Sequence, residues 1–442
     1  MIYLLVWAIV YCLQMGPTTT SILADNNSPT PFINLLTCTT SGIGCCNNLH
    51  GMTNVSINNK FLVLLLSFVM VLASCEGGKV KLAWDETAPN TMGKFKVNFY
   101  VENSGSMNGY MCEGSEFKNV IHYYANELVN ISDSVNLFFI NSQIIPFHGD
   151  IDSYTLEMTP SKFNSFGGNT SSSSLDKMLG LVLGKMDRNT ISVFVSDCIL
   201  AVPYGQAEKY FSIAKDNVKQ VFRQAIKKQK NLGVKILCLN SHFVGKYYQY
   251  GSTPQQIKCT RPYYVWIIGP QNLLGEIDKN IDKAGFDGLK NEVGFSNCAN
   301  IPFSIVNEHG VAESKNSLVS RTRGKKAEFI IRADLSSCLQ NDSYLADVSH
   351  YKTKSPLVSI DAVRKIENPN YTHEISVSIF ENAHLDECIE MQTMDLPIWV
   401  SQKNDMTGKN LNKTAGIKYI VGGVADAFKQ TSMRYGIKFT IK

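Results

Sequence analysis

The chain is 442 residues long, 44% hydrophobic and 18% charged, with a net charge of +4. These are proportions of a folded globular protein rather than a disordered one, and the length exceeds what one ordinary core accommodates, so two domains are expected. Lys and Arg form no dense block, so nucleic acid is not expected as a partner.

Residues 1–59 carry one charged side chain, Asp25, among Thr, Asn, Ser and Cys. Lys60 then opens the apolar run Phe61–Leu72, which closes on Leu72-Ala73-Ser74-Cys75. A cation, a short apolar stretch and small residues before a cysteine form a secretion signal, too short for a comfortable membrane span. The last four residues resemble the bacterial lipobox, whose cysteine is acylated and becomes the mature N-terminus. The expectation is therefore a mis-assigned extension over 1–51, with Met52 as the start. A lipoprotein signal peptide follows over 52–74, then a lipidated tether over 75–93 with palmitate on Cys75.

Twelve cysteines would suggest a disulfide scaffold, but four precede the signal and Cys75 carries lipid. The remainder, Cys112, Cys198, Cys238, Cys259, Cys298, Cys338 and Cys388, are scattered and show no zinc spacing. They read as buried small hydrophobes, with one or two disulfides allowed in an oxidising envelope.

From Lys94 strands and helices alternate. Lys94–Glu102 reads as a strand, 115–129 as a helix, 135–141 as a strand and 175–186 as a helix. Residues 191–197 read as a buried strand, 206–230 as an amphipathic helix, 234–240 and 263–269 as strands, and 273–284 as a helix. Such alternation implies an α/β fold over residues 94–290, a doubly wound, mostly parallel sheet with helices on both faces. Residues 291–442 show strand patterns with few helices and read as a β-rich, sandwich-like C-terminal domain.

The strand ending at residue 102 runs into Glu102-Asn103-Ser104-Gly105-Ser106, where a carboxylate and two hydroxyls are spaced one residue apart. Gly105 frees the bend, and oxygen-only donors in a loop suit a hard cation. In parallel sheets ligands bind beyond the carboxyl ends of strands, and the Gly167–Ser174 loop and Asp197 fall at such ends.

This ordered set resembles the metal-ion-dependent adhesion site of the von Willebrand factor type A domain. That family has a strand ending in Asp-x-Ser-x-Ser, a later threonine, and an aspartate ending the fourth strand. The resemblance assigns Glu102 to the first acid position, Ser104 and Ser106 to the serines, and Thr170 (or Ser171) to the threonine. Asp197 takes the second acid position. It implies Mg2+ or Mn2+ as cofactor, with a coordination position left open for a partner's carboxylate. Glu102 departs from the family's Asp, which makes the site degenerate.

The other polar and aromatic groups carry less chemistry. His242, Tyr247, Tyr248, Tyr250, Tyr263 and Tyr264 form an aromatic zone that reads as packing, with a glycan-binding face as the alternative. No phosphate loop, dinucleotide fingerprint or nucleophile elbow is present.

The sequence thus points to a lipid-anchored protein of the bacterial cell envelope, at the outer membrane. It would bind a protein or glycan partner at the surface or in the periplasm through the cation, and would not be an enzyme. The alternatives are a metal-dependent envelope hydrolase, with His148 or His242 as first candidates for a base, and a metal-free scaffold subunit. Mass spectrometry of the expressed protein is expected to return no peptide from residues 1–51; any such peptide would remove the mis-assigned start.

Overall fold

Among the described residues, the first regular element lies inside the stretch expected to be a tether. Val80 and Leu82 bury one face of β1 (Lys79–Trp84), which is a sheet strand rather than a spacer. The computed structural model describes residues 79–442 apart from 86, 88–92, 172–173, 201, 204, 249–253, 298–300, 309, 323–325, 381–383, 393–394 and 430–434. The extension, the signal segment and Cys75 lie outside the described residues.

After β1 the chain runs through β2 (Lys96–Glu102), α1 (Glu116–Ile131), β3 (Ser134–Ile140), β4 (Ile144–Pro146) and α2 (Ile151–Glu157). Next come α3 (Leu175–Gly184), β5 (Thr190–Ser196), α4 (Ala207–Lys228), β6 (Leu232–Tyr247), β7 (Gln255–Pro270), α5 (Gln271–Asn280) and β8 (Leu289–Ser296). Strands β2 to β8 form one seven-stranded sheet in the order β4-β3-β2-β5-β7-β6-β8. Val97, Phe99 and Val101 of β2 enter the core beneath α1 and α5, whereas Tyr100 points to the opposite core beneath α3 and α4. Period-two alternation with apolar side chains on both faces is what a sheet covered on both sides requires.

The doubly wound, mostly parallel sheet expected from the sequence is corrected here. Only the β3–β2 and β2–β5 pairings are parallel; the β4–β3, β5–β7, β7–β6 and β6–β8 pairings are antiparallel. The reason lies in the connection between β6 and β7. The aromatic stretch expected to separate two short strands is itself strand, so each runs for 16 residues and Tyr247 pairs with Gln255. A short hairpin joins antiparallel neighbours only, since parallel ones need a crossover of about a dozen residues or more.

The remaining elements are β9 (Phe303–Val306), β10 (Val311–Ser314), β11 (Ser317–Arg321), β12 (Lys326–Ala333), α6 (Asp342–Ala346), β13 (Tyr351–Lys352) and β14 (Val358–Lys365). They continue with β15 (His373–Phe380), β16 (Leu385–Met391), α7 (Ile398–Gln402), β17 (Asn404–Asp405), β18 (Thr414–Ala415), α8 (Ile417–Lys429) and β19 (Tyr435–Ile441). Two antiparallel sheets, ordered β10-β11-β1-β19-β16-β13 and β14-β15-β12-β9, share a third core cluster. Phe329 of β12 meets Phe439 of β19 edge to face across it, with ring centroids 5.7 Å apart.

This part does not coincide with residues 291–442. β8 crosses that boundary into the seven-stranded sheet, β1 joins from the tether, and α8 leaves to pack on α4. Ile417, Ile420, Val421 and Val424 form an apolar stripe at helical spacing that meets Phe211, Val218 and Phe222 of α4. Lys215 Nζ and Asp426 Oδ2 close the edge of this contact at 2.8 Å. The described cysteines, Cys112, Cys198, Cys238, Cys259, Cys338 and Cys388, are free thiols.

Two adjacent glycines report on the α4–α8 contact. A Cβ on Gly423 would lie 2.6 Å from the Lys215 carbonyl oxygen, whereas one on Gly422 would meet only Lys215 Cε at 3.6 Å. Glycine to alanine in an open helix position gains up to about 1 kcal/mol, while overpacking a tight contact costs about 1–3 kcal/mol. Urea denaturation is therefore expected to show Gly422→Ala more stable than the parent and Gly423→Ala less stable.

Candidate functional site

Parallel pairing of β2 with β5 sets Val101 beside Val195, so the next residues, Glu102 and Ser196, emerge together at one end of the sheet. The Ser196 hydroxyl donates to Glu102 Oε2 at 2.5 Å and accepts from the Cys198 amide at 2.8 Å. This ties the exits of the two strands to each other. Cys198 pays for the sharp turn with a left-handed φ of 55°.

Past Glu102 the loop is fastened on both sides. The Asn103 amide donates to the Ile140 carbonyl at the end of β3, and the Gly105 amide to the Thr170 carbonyl at 2.9 Å. Asn141 Nδ2 donates both to Asn103 Oδ1 and to the Gly167 carbonyl, lacing the three loops into one rim.

Within that rim the Ser104 and Ser106 hydroxyl oxygens lie 3.0 Å apart. Asp197 sits beside Ser106, fully buried; its Oδ1 accepts from the Ile199 amide at 3.0 Å. Its Oδ2 has no hydrogen-bond partner among the described residues. Burial raises the Asp197 pKa, opposed by the Ile199 amide, the charge of Arg261 and the Ser106 hydroxyl.

Ser104, Ser106 and Asp197 of the expected set therefore converge. Thr170 is present through its backbone carbonyl, and Ser171 turns its hydroxyl onto Asn169 Oδ1 at 2.6 Å. Glu102 is nearby but commits Oε2 to Ser196. Among the described residues no group of three or more His, Cys, Asp or Glu forms, so a cation at this rim would rely chiefly on hydroxyls.

The β6–β7 hairpin roofs the site. The phenol of Tyr248 sits over Gly105, where a Cβ would lie 3.1 Å from its oxygen. The Phe243 ring occupies the space a side chain at Gly109 would need, which holds the hairpin against the turn at Met107–Met111. Tyr247, Tyr263 and Tyr264 are buried and pack the roof rather than presenting a ligand face.

Arg261, on β7, was not singled out by sequence reasoning. It is 1% exposed, its guanidinium lies 4.2 Å from the Tyr247 ring centroid, and Nη1 donates to the Leu411 carbonyl at 3.1 Å. Nε and Nη2 have no partner among the described residues. Burial lowers its pKa, but the neighbouring Tyr110, Tyr247 and Asp197 outweigh that and raise it, so it stays a buried cation. The available signal was weak: Arg261 stands where the polar first half of β7 gives way to the apolar run from Tyr263.

His242 lies 2.8 Å from Glu116 Oε1 through Nδ1, its amide donates to Glu116 Oε2 at 2.8 Å, and no described contact joins its ring to the rim. His148 is exposed in the loop after β4, and no described contact joins it to the rim. No protein-family profile, curated protein or solved structure matches this chain.

Glu116, in the first turn of α1, is the clasp that holds the hairpin to the helix. Burial disfavours its charge, but the His242 amide and ring and the Ser241 hydroxyl outweigh this and hold its pKa down at about 2. A carboxyl held below its unfolded value of 4.5 contributes stability above that pH and loses it as pH falls toward about 2. Glu116→Gln is expected to be less stable than the parent at neutral pH and to lose less stability across that acid window, as measured by urea denaturation at each pH.

Proposed function

We propose that this chain is a binding module of the cell envelope that takes up Mg2+ or Mn2+ at the Ser104–Ser106–Asp197 rim and offers it to a carboxylate of a protein or glycan partner. The observation carrying this reading is the hydroxyl pair. Two cis ligands on an octahedral ion with bonds of roughly 2.0–2.1 Å are about 3 Å apart, and the Ser104 and Ser106 oxygens are separated by 3.0 Å. Asp197 Oδ2, buried beside Ser106 without a hydrogen-bond partner, supplies the anionic donor such an ion needs. These three residues fit a hard divalent ion.

Glu102 Oε2 accepts from the Ser196 hydroxyl, so on this reading Glu102 braces the loops from behind and acts on the ion through the rim that it supports. When bound, the ion would supply a positive, weakly neutralised centre for an incoming carboxylate. Binding is favoured over hydrolysis because no described contact brings His242 or His148 to the rim. The envelope location and lipid anchor rest on Lys60–Cys75 in the sequence.

One observation favours a second reading, a metal-free module. The Arg261 guanidinium already supplies a buried positive charge that acts on Asp197. An internal cation would then do the neutralising, and contacts with the partner would survive chelation.

Calorimetric titration of the full chain with Mg2+ and Mn2+ separates the two. On the first reading the parent binds, and Ser104→Ala and Asp197→Asn each weaken binding by roughly 10–100-fold, the scale for losing a group that supports a metal site. On the second the parent shows no binding, and Arg261→Met lowers the urea midpoint by removing the positive charge that acts on the buried Asp197.

A further inference from the structure

At the end of the seven-stranded sheet opposite the Ser104–Asp197 rim, a cavity of about 750 Å³ opens where β2, β5 and β6 begin and β7 ends. Lys94, Arg188, Lys227, Lys228 and Lys230 line it, and no carboxylate does. None of the five has an ion-pair partner among the described residues. Five cations around one space with no counter-charge give it a positive potential that attracts anions.

The backbone adds donors at the same place. Helix α5, of ten residues, starts after Pro270 with no side-chain cap. The Gln271 amide is satisfied by the Asn231 carbonyl at 2.8 Å. Asn272 and Leu273, next in the first turn, line the cavity, and first-turn amides have no carbonyl four residues back to bond.

A plainer role exists for part of the cluster, since Lys227 and Lys228 stand in the last turn of α4 and complement its dipole. That accounts for neither Lys94, Arg188 nor Lys230, which come from outside the helix.

We propose that this cavity is a binding site for a phosphate group. A carboxylate presents only two oxygens in one plane. A phosphate offers more acceptors, arranged tetrahedrally, to the lysines, to the planar fork of Arg188 and to a helix N-terminus. The phosphate has two sources, a free phosphorylated molecule or the headgroup of an anionic lipid. The site lies away from the rim and does not depend on the cation reading.

The test uses the full chain carrying Cys75→Ser, so that acylation cannot mediate membrane binding. Pyrophosphate is titrated calorimetrically, and co-sedimentation is measured with phosphatidylglycerol and phosphatidylcholine vesicles. Lys227→Glu/Lys228→Glu and Lys94→Gln/Arg188→Gln are expected to weaken binding by at least about tenfold. Lys209→Glu, at the other end of α4, and Ser104→Ala are expected to leave it unchanged.

These residues are exposed, and unchanged urea midpoints would show that the variants fold. Variant-sensitive binding of pyrophosphate alone assigns the site to a free phosphate compound. The same sensitivity with phosphatidylglycerol but not phosphatidylcholine assigns it to a lipid headgroup. Absence of binding to both probes, or binding indifferent to the two double variants, overturns the proposal.

Discussion

The parallel register between β2 and β5 is the constraint on which the rest of the site depends. It brings two strand exits, distant in sequence, to the same edge, and the Ser196–Glu102 hydrogen bond locks them there. Every later contact at the rim uses this arrangement. Asn103 reaches β3, Gly105 reaches the Thr170 carbonyl, and Asp197 arrives beside Ser106 because the two loops leave the sheet side by side. Slipping the pairing by one residue would turn Glu102 and every side chain of β2 to the other face.

Electrostatics within this frame is settled by burial. Asp197 and Arg261 are both removed from water, which penalises the charge on each, and each acts electrostatically on the other. Asp197 Oδ2 and Arg261 Nε and Nη2 have no hydrogen-bond partners among the described residues. Buried groups left in this condition are expensive in a folded protein and concentrate where something is bound or switched. The hairpin that carries Arg261 is held by Glu116 and by the Phe243–Gly109 contact. The cation and the rim are therefore positioned by different elements of the fold.

Much of the seven-stranded sheet was legible in the sequence because its strands are apolar on both faces. Phe99 and Tyr100, or Val193 and Phe194, cannot be read as anything but buried. Strand direction was not legible. The hairpin that reverses it lies within Phe243–Tyr263, where mixed polar and aromatic residues looked like a connection. The convergence of Ser104, Ser106 and Asp197 was readable from strand-end positions alone, since chain topology decides it. The fate of Glu102 was not, because its side chain answers to Ser196, a residue with no motif of its own. Arg261 was hidden for a similar reason, since the Leu411 carbonyl that holds its guanidinium lies far along the chain in a loop with no motif.

The pairing of β1 with β19, and the return of α8 to the face of α4, have a consequence for how the chain is made. Synthesis proceeds from the N-terminus, and domains ordinarily fold as they emerge. Here Val80 and Leu82 have no complete sheet to join until Ile437, Phe439 and Ile441 have left the ribosome. Likewise Phe211, Val218 and Phe222 stay uncovered until residues 417–424 appear. The nascent protein therefore carries two apolar surfaces through most of its translation, and both are covered only once its last strand and helix have been made.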